Sequence, residues 1–419
     1  MSFITVLTRA YLTRSTKPFL FTDDYRQTLD FQNSEKLGLY VHIPFCRSLC
    51  TFCPYCKTIY DKNTAERYVE ALLGEIDLVG GALGGEKKKV TSLYFGGGTP
   101  ALLTGDIGRI VGRINRYFTI TEGIGLELHP EDVTREKLLL LKEAGISKIS
   151  IGIQSFQPEY LRILGRGEFN CGAMFDALNQ VKFETVSMDF IFALPNQTAG
   201  LLKKDMETAF GNGANHIAIY PFIDFTFTDR KFPRMPERDK KKLLYEIVDY
   251  CAGKGYTRDS VWTFSKGGAS KYSSMTRENF LGFGCSATTL LKDQFKINTF
   301  DIGAYCQRIS EGSLPTALTL HFTRRQRMVY YLFWTAYSMK VDPAEFFSFF
   351  GERLEDCYGY ELRLALILGF IRQENGRYVM TTKGSYYYHY YENFYTLSYI
   401  DHMWSRMRTE AFPKELRIK

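Results

Sequence analysis

The chain of 419 residues has no apolar run that approaches the length needed to cross a bilayer, which excludes a helical membrane span. It has no low-complexity tract and no internal repeat beyond an alternation of strand-like and helix-like segments. Its first residues, MSFITVLTRAYLTRSTK, lack the apolar centre and cleavage site of a secretion signal, so a cytoplasmic location is expected. A concentrated basic face is also missing. The net charge is +7, and the KKK runs at 87–89 and 240–242 read as solvated surface, so no nucleic-acid partner is indicated. The nine cysteines lack a secretory setting and do not read as a disulfide framework.

What is present is a concentration of thiols. Cys46, Cys50, Cys53 and Cys56 fall within eleven residues, in LYVHIPFCRSLCTFCPYCK. The spacing is C-x3-C-x2-C, with one further cysteine three residues on. Three thiolates on a short loop can hold three irons of a four-iron cubane and leave the fourth open. An open iron can chelate a small molecule and pass it an electron, so this spacing suggests redox chemistry. Clustered cysteines also bind zinc, but structural zinc sites usually take paired hooks from two places, and no second hook appears here. His42 lies just before the loop and reads as a packed or hydrogen-bonded residue.

A hydrophobic content of 45% allows a large core and a small second domain. Residues 1–36 show no sustained periodicity and read as an irregular lead-in. Short β-branched runs then recur: LGLYVHIPF, VTSLYFGGG, GIGLELHP, SKISIGIQSF, VSMDFIFALP and NHIAIYPF. Amphipathic stretches such as TREKLLLLKEAGI separate them. Strands alternating with helices imply parallel βα units. The expected fold is α/β: a partial parallel (β/α)6 barrel over 37–225, an extension over 226–318, and a small winged-helix-like helical domain over 319–419. That last region holds an apolar helix and a hairpin with Asn-Gly at its turn. Polar and glycine residues gather at the ends of the strands, where such folds place their sites: the cysteine loop, Gly96 to Pro100, Glu127, Gln154 and Asp189.

The segments YVHIPFCRSLCTFC, GGGTP, ISIGIQSF and LPNQT resemble the radical S-adenosylmethionine (SAM) enzymes, and more closely the oxygen-independent coproporphyrinogen III oxidase family. The resemblance runs from about residue 38 to about residue 395. It implies a [4Fe-4S] cluster on Cys46, Cys50 and Cys53, with SAM chelated to the open iron and cleaved reductively to a 5'-deoxyadenosyl radical. It also implies SAM contacts from Tyr40, Phe52, Gly97, Gly98, Thr99, Glu127, Gln154, Arg166 and Asp189. A second SAM is implied near GFGCSATT, with Gly282, Gly284, Ser286 and Ala287 as its core. An electron donor such as flavodoxin or ferredoxin follows from the same resemblance.

The resemblance is incomplete. The oxidase places its extra cysteine two residues after the third ligand, whereas Cys56 comes three after. The oxidase's N-terminal segment is not found in residues 1–36. Its aromatic–glutamine pair is replaced by Ala269-Ser270 ahead of Tyr272, and the His-Asn-Leu motif of the haem-chaperone branch is also missing. The substrate class implied is a tetrapyrrole or another conjugated aromatic. A methyltransferase of an sp2 carbon and a non-catalytic haem chaperone stay open beside the oxidase reading. The tyrosines between Tyr386 and Tyr395 are expected mainly to pack, with a substrate platform as the other reading.

Overall fold

A computed structural model describes residues 18–25, 29–228, 232–267 and 278–418. The chain enters through a short strand, β1 (Phe19–Thr22). It then lays down six parallel strands side by side in chain order: β2 (Leu37–Ile43), β3 (Leu93–Gly97), β4 (Ile124–Leu128), β5 (Lys148–Gln154), β6 (Thr185–Phe192) and β7 (His216–Pro221). Helices α1 (Lys62–Gly81), α2 (Thr104–Tyr117), α3 (Arg135–Glu143), α4 (Cys171–Gln180) and α5 (Ala199–Gly211) fill the crossovers. Each βα unit sets its next strand beside the last, which is what short, unknotted connections favour.

The local sequence explains these elements. The strands are rich in Val, Ile and Phe and are buried along most of their length, as a sheet covered on one face by helices and filled on the other requires. On α2, Ile107, Ile110, Val111 and Ile114 recur at one-turn spacing and are all buried. Each such side chain contributes about 1.5–3 kcal/mol on leaving water. Four of the five helix starts are capped by a side chain. Asp61 accepts from the Thr64 N–H at 2.8 Å, and the side chains of Thr134, Asn170 and Thr198 do the same for α3, α4 and α5.

The sheet does not close. Beyond β7, α6 (Glu237–Gly253) leads to β8 (Thr257–Arg258) and β9 (Thr263–Ser265), which extend that edge antiparallel. On the other side β10 (Asn279–Phe283) lies parallel to β2. Strands β11 (Thr288–Leu290), β12 (Gln294–Asn298) and β13 (Thr316–His321) follow antiparallel, with α7 (Ile302–Ser310) packed behind them. The last neighbours are β1 and then β14 (Glu415–Ile418), giving fourteen strands in one open sheet among the described residues. The lead-in is therefore not wholly irregular. Phe21 pairs with both Leu320 and Leu416, in a strand of four residues that is too short to show a period in sequence. Residues 1–17 lie outside the described residues.

The helical region starts at Arg324, because residues 316–321 complete the sheet. Helix α8 (Arg324–Tyr337), the helices Pro343–Phe350 and Leu354–Ile367, and a hairpin with Asn375 and Gly376 at φ 49° and 76° build a small core around Tyr331, Phe346 and Tyr358. Helices α9 (Thr382–Tyr395) and α10 (Asp401–Thr409) then return to the barrel. On α9, Glu392 accepts from Trp262 Nε1 at 2.9 Å, and Tyr388 donates to the Phe333 carbonyl at 2.9 Å while stacking on its ring. Among the described residues no helix is long and apolar enough to cross a membrane.

Candidate functional site: the cysteine loop and the strand ends

The cysteine loop is tied down at both ends. Phe45 and Cys46 pair in parallel with Thr58 and Ile59, which closes its base. Arg47 forms an ion pair with the fully buried Asp132, which also accepts from Lys137 at 2.5 Å. Lys57 reaches back and donates to the carbonyls of Cys50 and Cys53, both at 2.8 Å. Cys46, Cys50 and Cys53 are free thiols, each half-buried. Thr99 Oγ1 lies 4.0 Å from Cys46 Sγ. Burial pushes the Cys46 thiol up to about 11, so a metal bound there must displace its proton.

The donor set fits a cubane better than one ion. A single zinc needs its ligands to converge on a point. Among the described residues, three such ligand atoms lie within 4.8 Å of one another only at His42, Cys56 and Cys285. The three loop thiols are more widely spread, as three corners of a cluster require.

Beside the loop runs Gly96-Gly97-Gly98-Thr99. Gly97 has φ 116°, a left-handed conformation that favours glycine. A Cβ there would sit 2.6 Å from the His42 ring, and one on Gly98 would sit 2.6 Å from the Phe45 carbonyl oxygen. Gly98 and Thr99 donate their N–H groups to Ile43 and Phe45, each at 2.7 Å. The run is thus pressed against the strand that carries the cysteines.

The polar residues of successive strands converge. Glu127 on β4 accepts from the Tyr94 hydroxyl at 3.0 Å and from the Gly97 N–H at 3.2 Å. Asp189 on β6 accepts from Ser150 at 2.8 Å and Ser187 at 3.2 Å, and Ser187 also meets His216 Nδ1 at 2.9 Å. Burial raises Glu127 to about 7, with Asp189 adding repulsion, and burial raises Asp189 to about 6. Two carboxylates held near neutrality suit hydroxyl or cationic groups of a ligand. Gln154 ends β5 at φ 69°. A Cβ on Gly152 would lie 3.0 Å from Gln154 Nε2 and 3.7 Å from an Arg166 guanidinium nitrogen, so the two side chains meet above that glycine. Arg166 donates to the Gly152 carbonyl, and its buried Nε has no hydrogen-bond partner among the described residues. Non-glycine residues with positive φ recur along this edge, at Gln154, Ala193, Asn196 and Ser286, and such strain gathers at functional sites.

Tyr40 on β2 stacks near Tyr94, with centroids 6.5 Å apart, and its hydroxyl meets His42 Nδ1 at 3.1 Å. Phe52 packs against the cluster of Tyr160, Leu164, Ile191 and Leu194. Gly284 is buried at φ 98°. Its N–H goes to Glu75 at 2.6 Å and its carbonyl accepts from Asn298 at 2.9 Å. Ala269, Ser270 and Tyr272 lie outside the described residues.

Sequence reasoning missed the cover of the loop. Trp404 on α10 lies 5.7 Å from Tyr55 and stacks on Phe225 at 6.0 Å, while Arg408 donates to the Pro54 carbonyl and sits 4.6 Å from the Phe227 ring. Tyr55 itself stays 50% exposed at the rim of the loop. No sequence signal links residues 404 and 55. On α9, Tyr388 and Tyr395 pack on Phe333, whereas Tyr387 is partly exposed.

The sequence pattern of the Radical SAM superfamily matches residues 40–209. A haem chaperone HemW of Bacillus subtilis is 25% identical over 362 residues, covering 82% of this chain and 95% of that protein. A haem chaperone HemW of Lactococcus lactis is 30% identical over 268 residues, covering 60% and 69%. An oxygen-independent coproporphyrinogen III oxidase of Paracoccus denitrificans is 25% identical over 320 residues, covering 70% of each. In fold, the chain is similar to the coproporphyrinogen III oxidase of Escherichia coli, with TM-score 0.75, 20% identity, and 90% and 96% of the two chains covered.

Proposed function

The chain belongs to the radical SAM superfamily, within the family of oxygen-independent coproporphyrinogen III oxidase-like proteins, and from that premise we propose that it is a cytoplasmic enzyme acting on a porphyrin-type tetrapyrrole. The observation that carries the reading is the placement of Glu127, Gln154, Arg166 and Asp189 at the ends of successive strands of the sheet whose first parallel strand leads into three half-buried loop thiols. The cofactors are a [4Fe-4S] cluster and SAM. Bound there, they supply one-electron chemistry that abstracts hydrogen from an unactivated carbon.

The chain's own residues orient and shield. Cys46, Cys50 and Cys53 hold three irons, and the Lys57 ammonium behind the loop offsets part of the thiolate charge. Gly97, Gly98 and Thr99 let a ligand's amino group approach the backbone, and the guanidinium of Arg166 suits its carboxylate. Glu127 and Asp189 suit ribose hydroxyls. Tyr40 holds His42, and Phe52 anchors the loop on the cluster of Tyr160, Leu164, Ile191 and Leu194. Tyr55, Phe225, Phe300 and Trp404 line the side a flat substrate would enter, and an exogenous donor such as flavodoxin or ferredoxin supplies the electron. Gly284 is assigned to packing, which leaves a second SAM without a free backbone group at that glycine.

Anaerobically reconstituted protein with SAM, dithionite and coproporphyrinogen III tests this by mass spectrometry. Substrate-dependent 5'-deoxyadenosine with loss of carbon dioxide supports the oxidase activity. 5'-Deoxyadenosine together with S-adenosylhomocysteine supports methyl transfer. Neither product with any tetrapyrrole would overturn the enzymatic reading. A second reading, haem chaperone, is favoured by relatives of that name that align over most of their length. Tight stoichiometric haem binding without substrate-dependent turnover would select it.

A further inference from the structure

We propose that His42, Cys56 and Cys285 form a second metal site, separate from the loop thiols, that takes a single soft divalent cation such as zinc and staples the far end of the cysteine loop to the barrel.

The three ligand atoms lie within 4.8 Å of one another, and all three residues are buried. Tetrahedral coordination with Zn–S near 2.3 Å and Zn–N near 2.0–2.1 Å places ligand atoms roughly 3.5–3.8 Å apart. Closing the site therefore takes a contraction of about 1 Å, within reach of side-chain rotation. The donor set is the sulfur and imidazole mixture that zinc favours over hard cations. Two thiolates and one neutral imidazole also cancel a divalent charge, so the buried site carries no net charge. The sulfur of Cys56 lies 3.4 Å from the Phe300 carbonyl, a further oxygen donor.

The second shell is already built. Tyr68 donates its hydroxyl to the His42 carbonyl at 2.8 Å and accepts from the Cys285 N–H at 3.0 Å, so one side chain pins two of the three backbones together. Glu75 accepts from Gly284 N–H at 2.6 Å and from Tyr305 at 2.8 Å, which fixes the turn that carries Cys285. Ser286 follows at φ 57°, a conformation held against its own preference. His42 Nε2 meets the Cys56 carbonyl at 2.9 Å, a contact the ion would replace: the ring proton then sits on Nδ1, which donates to the Tyr40 hydroxyl oxygen 3.1 Å away, and Nε2 turns its lone pair to the metal. Burial holds His42 down at about 4, which keeps the ring neutral. The three residues come from β2, the loop and the turn after β10. An ion that joins them would tether the chain three residues beyond Cys53.

The test is metal analysis of the anaerobically reconstituted holoprotein, which does not depend on the proposed activity. Protein is incubated with zinc chloride, desalted, and measured for zinc and iron by plasma mass spectrometry. The wild type should keep about one zinc beside about four irons per chain. Cys285→Ser and Cys56→Ser should each lose at least about tenfold in zinc affinity, and Cys285→Ser should keep its iron. Wild type that retains no zinc overturns the proposal. So does a Cys285→Ser protein that retains wild-type zinc, since the ion then sits on the loop thiols. A Cys56–Cys285 disulfide in peptide maps of the anaerobic protein would also overturn it. If Cys285→Ser does not fold, Cys56→Ser gives the same zinc readout.

Discussion

His42 Nε2 lies 2.9 Å from the carbonyl oxygen of Cys56. A carbonyl only accepts, so the ring carries its proton on Nε2, and Nδ1 is left to accept from Tyr40 at 3.1 Å. One neutral imidazole thus joins the strand that leads into the cysteine loop to the residue that leaves it. His42→Ala should destabilise the apoprotein by about 2–4 kcal/mol, because it strands a buried hydroxyl and a buried carbonyl and opens a cavity. Urea unfolding checks this; a loss under about 0.5 kcal/mol would mean the loop is held elsewhere.

Gly98→Ala should be among the most damaging small substitutions in the chain. Its Cβ would meet the Phe45 backbone at 2.6 Å, and two backbones cannot move apart as a flexible side chain could. The expected cost is about 1–3 kcal/mol in thermal or denaturant unfolding, with weaker SAM binding by calorimetry. Gly105→Ala, where a Cβ would meet nothing, is the control and should be close to neutral.

Glu127 and Asp189 give a stability that falls with rising pH. Their folded-state values, about 7 and about 6, lie above those of the unfolded chain, so the folded state binds more protons in between. Their contribution is complete below about pH 4 and lost as pH rises through 6 to 7. Glu127→Gln should flatten that fall in apoprotein melting curves and gain about 2 kcal/mol relative to wild type at pH 8. An unchanged slope in the variant would show that this carboxyl does not titrate there.

Glu75 is a buried carboxylate that accepts from Gly284, Asn298 and Tyr305. Glu75→Ala should cost about 3 kcal/mol or more, since three buried donors lose their acceptor at once. Differential scanning calorimetry reads the loss. Iron content after reconstitution should hold, because Glu75 touches none of the three loop ligands.

Trp404→Ala removes the ring that stacks on Phe225 and faces Tyr55. Anaerobic iron content should stay at the wild-type level. The visible absorbance of the cluster should bleach faster in air, because solvent and oxygen gain a path to the loop. An unchanged bleaching rate would show that α10 does not shield the loop.

The parallel barrel was legible because each of its strands is a run of β-branched and aromatic residues followed by a helical pattern. The strand-end residues were legible for the same reason: Glu127, Gln154 and Asp189 interrupt apolar runs. What was hidden depended on distance along the chain. The pairing of Phe21 with Leu320 and Leu416 joins residues some 300 and 400 positions apart in runs of four to six residues. The docking of Trp404 beside Tyr55 and the approach of Cys285 to Cys56 have no period or motif to announce them. Ser150, Ser187 and His216 read as strand residues, and only the register shows that the two serines hold Asp189 while His216 meets Ser187.

The central claim is that Cys46, Cys50 and Cys53, without Cys56, hold a cluster with one open iron. Electron paramagnetic resonance of the dithionite-reduced protein, with and without SAM, tests it most directly. Wild type and Cys56→Ala should both give a [4Fe-4S]+ signal whose g-values shift when SAM is added, and Cys50→Ala should give none. Equal loss of the signal in Cys56→Ala and Cys50→Ala, or a wild-type signal that SAM leaves unmoved, would contradict the account.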